Sequence, residues 1–158
     1  PVTARQVGAA AMYERLDADV SRLIAETGYG ARLLDDVASR LAAGRNVLVS
    51  TATASGESAA AAQSQQVARA TANFVARLVT RMAASAPLRR IGIAGGDTST
   101  QVVQALPVWG LSYATNLSPG VTLSRAHSDD PALDGMELML KGGQMGPDDL
   151  LGRLVAGL

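Results

Sequence analysis

Ile91-Gly92-Ile93-Ala94-Gly95-Gly96-Asp97-Thr98-Ser99 decides the fold. Its short apolar run has the length and residue types of a buried strand, and it ends in two glycines. Thr98 to Leu106 then carries helical spacing through Val102 and Ala105-Leu106. A strand that turns through glycine directly into a helix leaves unpaired amide hydrogens and the positive end of the helix dipole facing outward from the strand end. Such a corner binds phosphate without a basic side chain. Thr98 and Ser99 add hydroxyl donors, while Asp97 would repel a bare phosphate. Asp97 is accommodated if it caps the helix amides or if Mg²⁺ bridges it to the phosphates. The plain alternative is a tight turn with Asp97 as N-cap.

Outward from this corner the chain reads as a single α/β domain. Upstream, Val7, Ala11, Tyr13, Leu16, Val20, Leu23 and Ile24 recur at mostly three- and four-residue steps, predicting one helix from Thr3 to Glu26 that Gly28 and Gly30 break. A second helix follows through Leu34, Val37 and Leu41, with Gly44 at its C-terminal cap. Asn46 to Ser50 is predicted as a strand covered on both faces, Ser55 to Ser64 as a loop merging into a helix, and Val67 to Met82 as that helix, ending before Pro87. Beyond Trp109 come strand-like pieces at Val108 to Thr115, Val121 to Arg125 and Met136 to Lys141, and a last helix over Asp148 to Leu158 opened by Pro147. The expected fold is a mostly parallel or mixed sheet flanked by helices, with a β-rich C-terminal part.

The bulk properties narrow the function. The chain has 158 residues, the size of one domain, and zero net charge, which points to neither nucleic acid nor an anionic membrane. No apolar run approaches the roughly eighteen residues of a membrane span, and the amino terminus lacks a secretory pattern. With no cysteine there are no disulfides or thiolate metal sites, and a cytoplasmic setting is expected. A start at Pro1 without Met suggests a processed or excised piece.

Two further segments carry candidate chemistry. In Lys141-Gly142-Gly143-Gln144-Met145-Gly146 a cation at a strand end precedes glycines, which suits a phosphate; a snorkelling lysine and a hairpin-like turn is the other reading. Ser118-Pro119-Gly120-Val121 on its own is a type II turn. Neither a P-loop nor a dinucleotide fingerprint occurs. His127, the one histidine, reads as a solvated loop residue, Asp129-Asp130 as a charged turn, and Asp35-Asp36 as surface. No resident metal site is expected.

Taken in order, Ala94-Gly95-Gly96-Asp97-Thr98-Ser99 with Val102 and Ala105-Leu106, then Ser118-Pro119-Gly120-Val121, then Leu140-Lys141-Gly142-Gly143-Gln144-Met145-Gly146 resemble the C-terminal, nucleotide-binding domain of the four-carbon acid sugar kinases. Some members of that family carry older names as Hrp-dependent type III effector proteins. The opening Pro1-Val2-Thr3-Ala4-Arg5-Gln6 is similar to a helix start that follows a Gly-Ser-Cys-Ser segment in the family, so the resemblance covers nearly the whole chain. Gly142 and Met145 depart from it, standing where the family usually carries a serine and an aromatic ring.

The resemblance implies a nucleotide-binding domain over residues 1–158, the C-terminal half of a two-domain kinase. That kinase would transfer the γ-phosphoryl group of ATP to a four-carbon sugar acid of oxo-tetronate, threonate or erythronate type. Gly95, Gly96, Asp97 and Thr98 would line the ATP phosphates, Gly142 and Gly143 would close the other side, and Lys141 and Gly120 would assist. Mg²⁺ would accompany the nucleotide. An Asp-Asp-x-Thr-Gly segment and the sugar-acid site belong to an N-terminal domain in the family, and no such motif occurs in this sequence. The catalytic base is therefore expected outside the chain, and the chain alone is expected to be inactive. A homodimer is a further expectation. Competing readings are a non-catalytic module that binds a phosphorylated metabolite, and a secreted effector whose fold serves interaction.

Overall fold

The structure is a computed structural model that describes residues 2–51 and 61–157. Its elements run α1 (Val2–Ala9), β1 (Glu14–Asp17), α2 (Val20–Ala25), α3 (Thr27–Ala42), β2 (Val47–Ser50), α4 (Ala61–Met82), β3 (Arg90–Ala94), α5 (Gly96–Ala105), β4 (Gly110–Ser118), β5 (Val121–His127), β6 (Glu137–Lys141) and α6 (Leu150–Ala156). The strands form two sheets. β1 and β2 pair in parallel, and a four-stranded mixed sheet has the order β3-β6-β5-β4. In it β3 and β6 are parallel, while β5 is antiparallel to both β6 and β4. The expected α/β class, with helices on the sheets and a β-rich end, is what the chain adopts.

Alternation along β6 assigns the helices to the two faces of the larger sheet. Leu138 joins Ile93, Val102, Leu106 and Ala126 in a core covered by Ala72, Val75 and Val79 of α4 and by α5. Its neighbour Met139 points the other way, into a cluster with Leu117, Val121, Leu123, Leu150 and Leu154, which α6 covers. Gly92, the register partner of Met139, has no Cβ because Leu154 lies where one would go, 2.5 Å away. Each fully buried Leu, Val or Met of these clusters contributes about 1.5–3 kcal/mol of transfer energy. α4 also serves the smaller sheet, since Phe74, Leu78 and Met82 pack with Leu34, Val37 and Ala38 of α3 and with Val47 and Val49 of β2.

Several expectations are corrected. The helix expected over Thr3 to Glu26 is three elements: α1 ends at Ala9, the chain turns, and Glu14–Asp17 extends to pair with β2 from Glu14↔Val47 to Asp17↔Ser50. Asp19 then caps α2, its side chain accepting from the Arg22 amide at 3.1 Å. Gly28 and Gly30 lie inside α3 and break nothing. Gly44, at φ +77, does take the left-handed position after the α3 cap. β2 is only half-buried along Val47–Val49, on both faces, where a fully buried strand was expected. The last helix starts at Leu150, and Pro147 precedes it, its carbonyl accepting from the Leu150 amide. Part of the loop expected over Ser55 to Ser64 lies outside the described residues.

Candidate functional site

Strand register brings the three glycine motifs to one end of the larger sheet. Ala94 of β3 stands beside Lys141 of β6, so the Gly95-Gly96 corner and the Gly142-Gly143 turn leave adjacent strands at the same level. β5 runs the other way, with Leu123 opposite Met139, and its start at Val121 therefore reaches the same end as Lys141. The β4–β5 turn carrying Gly120 completes the row. At about 4.8 Å between neighbouring strands, the corner and the Gly120 turn lie on the order of 10 Å apart.

This row is also a switch point. β3 leads into α5 on one face of the sheet, and its parallel neighbour β6 leads toward α6 on the other. Connections that part to opposite faces leave a crevice outside the carboxyl ends of the two strands, where open α/β sheets bind ligands.

At the corner, Gly95 takes φ +120 and acts as the N-cap of α5. Its amide donates to the Lys141 carbonyl at 2.9 Å, and its carbonyl accepts from the Ser99 amide at 2.8 Å. An L-residue is strained at that φ, and its Cβ would also lie 3.3 Å from Thr98 Oγ1. Gly96 differs: a Cβ there would meet nothing within 4 Å. The helix begins at Gly96 rather than Thr98, and no side chain caps it. Asp97, the alternative N-cap, is instead an exposed residue of the first turn. Thr98 is half-buried, and Ser99 is buried with its hydroxyl unpartnered among the described residues. The first-turn amides thus face outward at a bare glycine surface.

On the next strand Lys141 is only 3% exposed, so the snorkelling alternative fails. Its Nζ donates to Thr3 Oγ1 at 3.1 Å and to the Gly142 carbonyl at 3.0 Å. No carboxylate pairs with it among the described residues, and burial holds its pKa below the ordinary lysine value.

The turn after Lys141 is built largely by α1. The Thr3 hydroxyl donates to the Gly143 carbonyl at 2.7 Å, and the Thr3 amide reaches the same oxygen at 3.3 Å. One helical turn on, Gln6 Nε2 donates to the carbonyls of Met145, Gly146 and Pro147 at 3.0, 3.1 and 2.9 Å. Gln6 is 1% exposed. Met145 lies across the row: a Cβ on Gly120 would meet its Cε at 2.5 Å and one on Gly142 its Cγ at 3.3 Å. Gly120 itself has φ +76, as the third position of a Pro-Gly type II turn requires.

All eight residues singled out from the sequence, Gly95, Gly96, Asp97, Thr98, Gly120, Lys141, Gly142 and Gly143, therefore stand at one sheet end. Thr3 and Gln6 were not anticipated there, whereas Met145 belongs to the Lys141–Gly146 segment already singled out. The pattern Thr3-x-x-Gln6 carries a signal, but it has the form of a capping box and suggests a purely local role. The other candidates lie elsewhere. His127 is the last residue of β5 rather than a loop residue, hydrogen-bonded to Ser112 Oγ at 2.8 Å with its ring 5.5 Å from that of Trp109. Asp130 closes its own turn, Oδ1 accepting from the Ala132 amide. Asp36 pairs with Arg40 on the surface of α3. Among the described residues no three His, Asp or Glu side chains gather to hold a metal ion. A cleft of about 1410 Å³ lies between β2 and β3 beneath α3 and α4, lined by Val47, Val49, Phe74, Ile91 and Ile93, and does not include the glycine row.

Residues 1–151 match a family model described as a nucleotide-binding C-terminal domain. A 3-oxo-isoapionate kinase of Paraburkholderia graminis is 32% identical over 174 aligned positions, which span 99% of this chain and 37% of the relative. The fold is shared with a Haemophilus influenzae protein of the DUF1537 family, at TM-score 0.77 and 21% identity over 98% of this chain and 37% of that one. It is shared too with a DUF1537 domain from Bordetella bronchiseptica, solved as a domain-swapped dimer with bound citrate, at TM-score 0.68 and 22% identity over 96% of this chain and 37% of that one. The chain thus spans little more than a third of the relatives it matches. It belongs to the nucleotide-binding C-terminal domain family, in keeping with its likeness to the four-carbon acid sugar kinases.

Proposed function

We propose that the chain is the ATP-binding domain of a kinase that phosphorylates a four-carbon sugar acid of oxo-tetronate, threonate or erythronate type. The observation that carries this reading is the convergence of the three glycine turns at the parting of β3 and β6. The residues suit a phosphate chain. Gly96 leaves room for close approach, the first turn of α5 offers uncapped amides, and Lys141 is a buried cation that no carboxylate pairs with among the described residues. Gly142, Gly143 and Gly120 would close the other side of the phosphates. Thr98 would add a hydroxyl, and Asp97 would face the Mg²⁺ that travels with the nucleotide.

In the reaction the acceptor hydroxyl oxygen bonds to the γ-phosphorus as the bond to the β,γ-bridging oxygen breaks. ADP leaves, and the hydroxyl proton passes to a base. Such transfer depends on positioning and on charge stabilisation, and this chain would supply them for the donor. The acceptor site and the base belong in this reading to a further domain, an N-terminal one, consistent with the 37% share of the kinase relative that the chain spans. Residues 1–158 alone would then bind ATP or ADP at most weakly, and without turnover. The domain-swapped dimer of the Bordetella neighbour favours a homodimer. Among the described residues no helix is long and apolar enough to cross a membrane, and we take the enzyme to work in the cytoplasm.

Calorimetry of the intact protein with Mg-ATP, against Gly96→Val, tests the site, and phosphorylation of a panel of tetronates tests the substrate class. Tight nucleotide binding unaffected by Gly96→Val would overturn the site assignment.

A further inference from the structure

The nucleotide reading leaves α1 unused, yet α1 contacts the one buried cation of the glycine row. We infer that Thr3 is a positioning residue for the nucleotide, its hydroxyl aiming the Lys141 ammonium at the phosphates; this rests on the function proposed above.

The hydrogen-bond directions are fixed by chemistry. Thr3 Oγ1 has one proton, and the Gly143 carbonyl 2.7 Å away can only accept it. Lys141 Nζ can only donate, so at 3.1 Å it bonds to the lone pairs of the same hydroxyl. With the Gly142 carbonyl at 3.0 Å, two of the three ammonium hydrogens are committed. One remains for a ligand. Both partners are neutral, and no carboxylate balances the charge among the described residues. A cation buried among neutral oxygens is expensive until an anion joins it. The arrangement fits the oxyanion of a nucleoside di- or triphosphate.

The Thr3 hydroxyl is also dispensable for the shape of the turn. The Thr3 amide reaches the same Gly143 carbonyl, and Gln6 holds the carbonyls of Met145, Gly146 and Pro147. Removing the hydroxyl therefore frees Lys141 while the turn stays gripped. Its effect on binding should run through Lys141 alone.

The test is a double-mutant cycle on the intact protein, with ADP and Mg-ATP affinities measured by calorimetry. Thr3→Val keeps the side-chain shape and should weaken both nucleotides about tenfold, the size of one charge-assisted hydrogen bond. Thr3→Ser should restore affinity to within about twofold, and Thr3→Val should have no further effect on a Lys141→Met background. Thermal midpoints of the Thr3 variants should stay within about 2 °C of the parent. Additive losses on the Lys141→Met background, or unchanged affinity in Thr3→Val, would overturn the inference. A parent protein that binds neither nucleotide would fail the function proposed above, and the inference with it. A parent that binds them while Thr3→Val has no effect would fail the inference alone.

Discussion

Thr3 and Lys141, 138 positions apart in sequence, meet through a 3.1 Å hydrogen bond that joins the first helix to the end of a central strand. The contact ties the opening residues of the chain to the glycine row, and it holds a buried ammonium against the Gly142 carbonyl at the end of β6. Around it, neighbouring glycines have different duties, and substitutions should separate them.

Gly95 and Gly96 should respond in opposite ways. Gly95→Ala forces an L-residue to φ +120 and should cost about 1–3 kcal/mol of stability. Gly96→Val enters open space and should change stability by only about 0.5 kcal/mol. If the corner holds phosphate, Gly96→Val nevertheless abolishes nucleotide binding. Urea unfolding beside calorimetry separates the two effects.

Gln6 should matter for stability far more than its place near the chain end suggests. Its amide nitrogen serves three carbonyls from a site 1% exposed. Gln6→Ala leaves those part-buried oxygens short of a donor and should cost about 1–3 kcal/mol, read as a lower denaturation midpoint with little change in slope.

These two cases show where sequence reading succeeds and where it stops. The Gly95-Gly96 corner was legible because strand, glycines and helix are consecutive, so each local signal reports on the same few residues. The role of Gln6 was not, since its partners lie about 140 positions away and Thr3-x-x-Gln6 mimics a local cap. β1 was hidden for a related reason. Ala9, Ala10 and Ala11 favour helix, Gly8 lies inside α1 rather than beyond its end, and Glu14–Asp17 is a strand only because β2 lies beside it. The gathering of three separated turns followed from strand register, a property of pairing that periodicity does not encode.

Lys141 should give a specific pH signature. Burial lowers its pKa in the folded protein below the ordinary 10.5, which the unfolded chain retains. Between the two values the unfolded state binds more protons, so stability gains from this group as pH rises. Below the folded pKa the charged lysine costs stability, and near 10.5 that cost is gone. Measured against Lys141→Met, the parent should therefore gain relative stability as pH is raised toward 10.5. Nucleotide binding should show the reverse trend, weakening as the ammonium loses its proton. Urea midpoints of both proteins across this range check the first statement. A difference that stays flat with pH would mean Lys141 titrates at its ordinary value.

Gly120 and Met145 supply the last prediction. Gly120→Ala faces two separate penalties, the positive φ of +76 and a Cβ set 2.5 Å from Met145 Cε. The side chain of Met145 is flexible and 38% exposed, so the second penalty is relieved when it swings aside. The backbone penalty has no such outlet, because a type II turn needs φ above zero at this position. Gly120→Ala should therefore cost about 1–2 kcal/mol, and adding Met145→Ala should recover only a small part of it. Full recovery in the double variant would place the cost in the contact instead. If Met145 also borders the bound nucleotide, the same two single variants should both weaken ADP binding, although only Gly120→Ala lowers the unfolding midpoint appreciably.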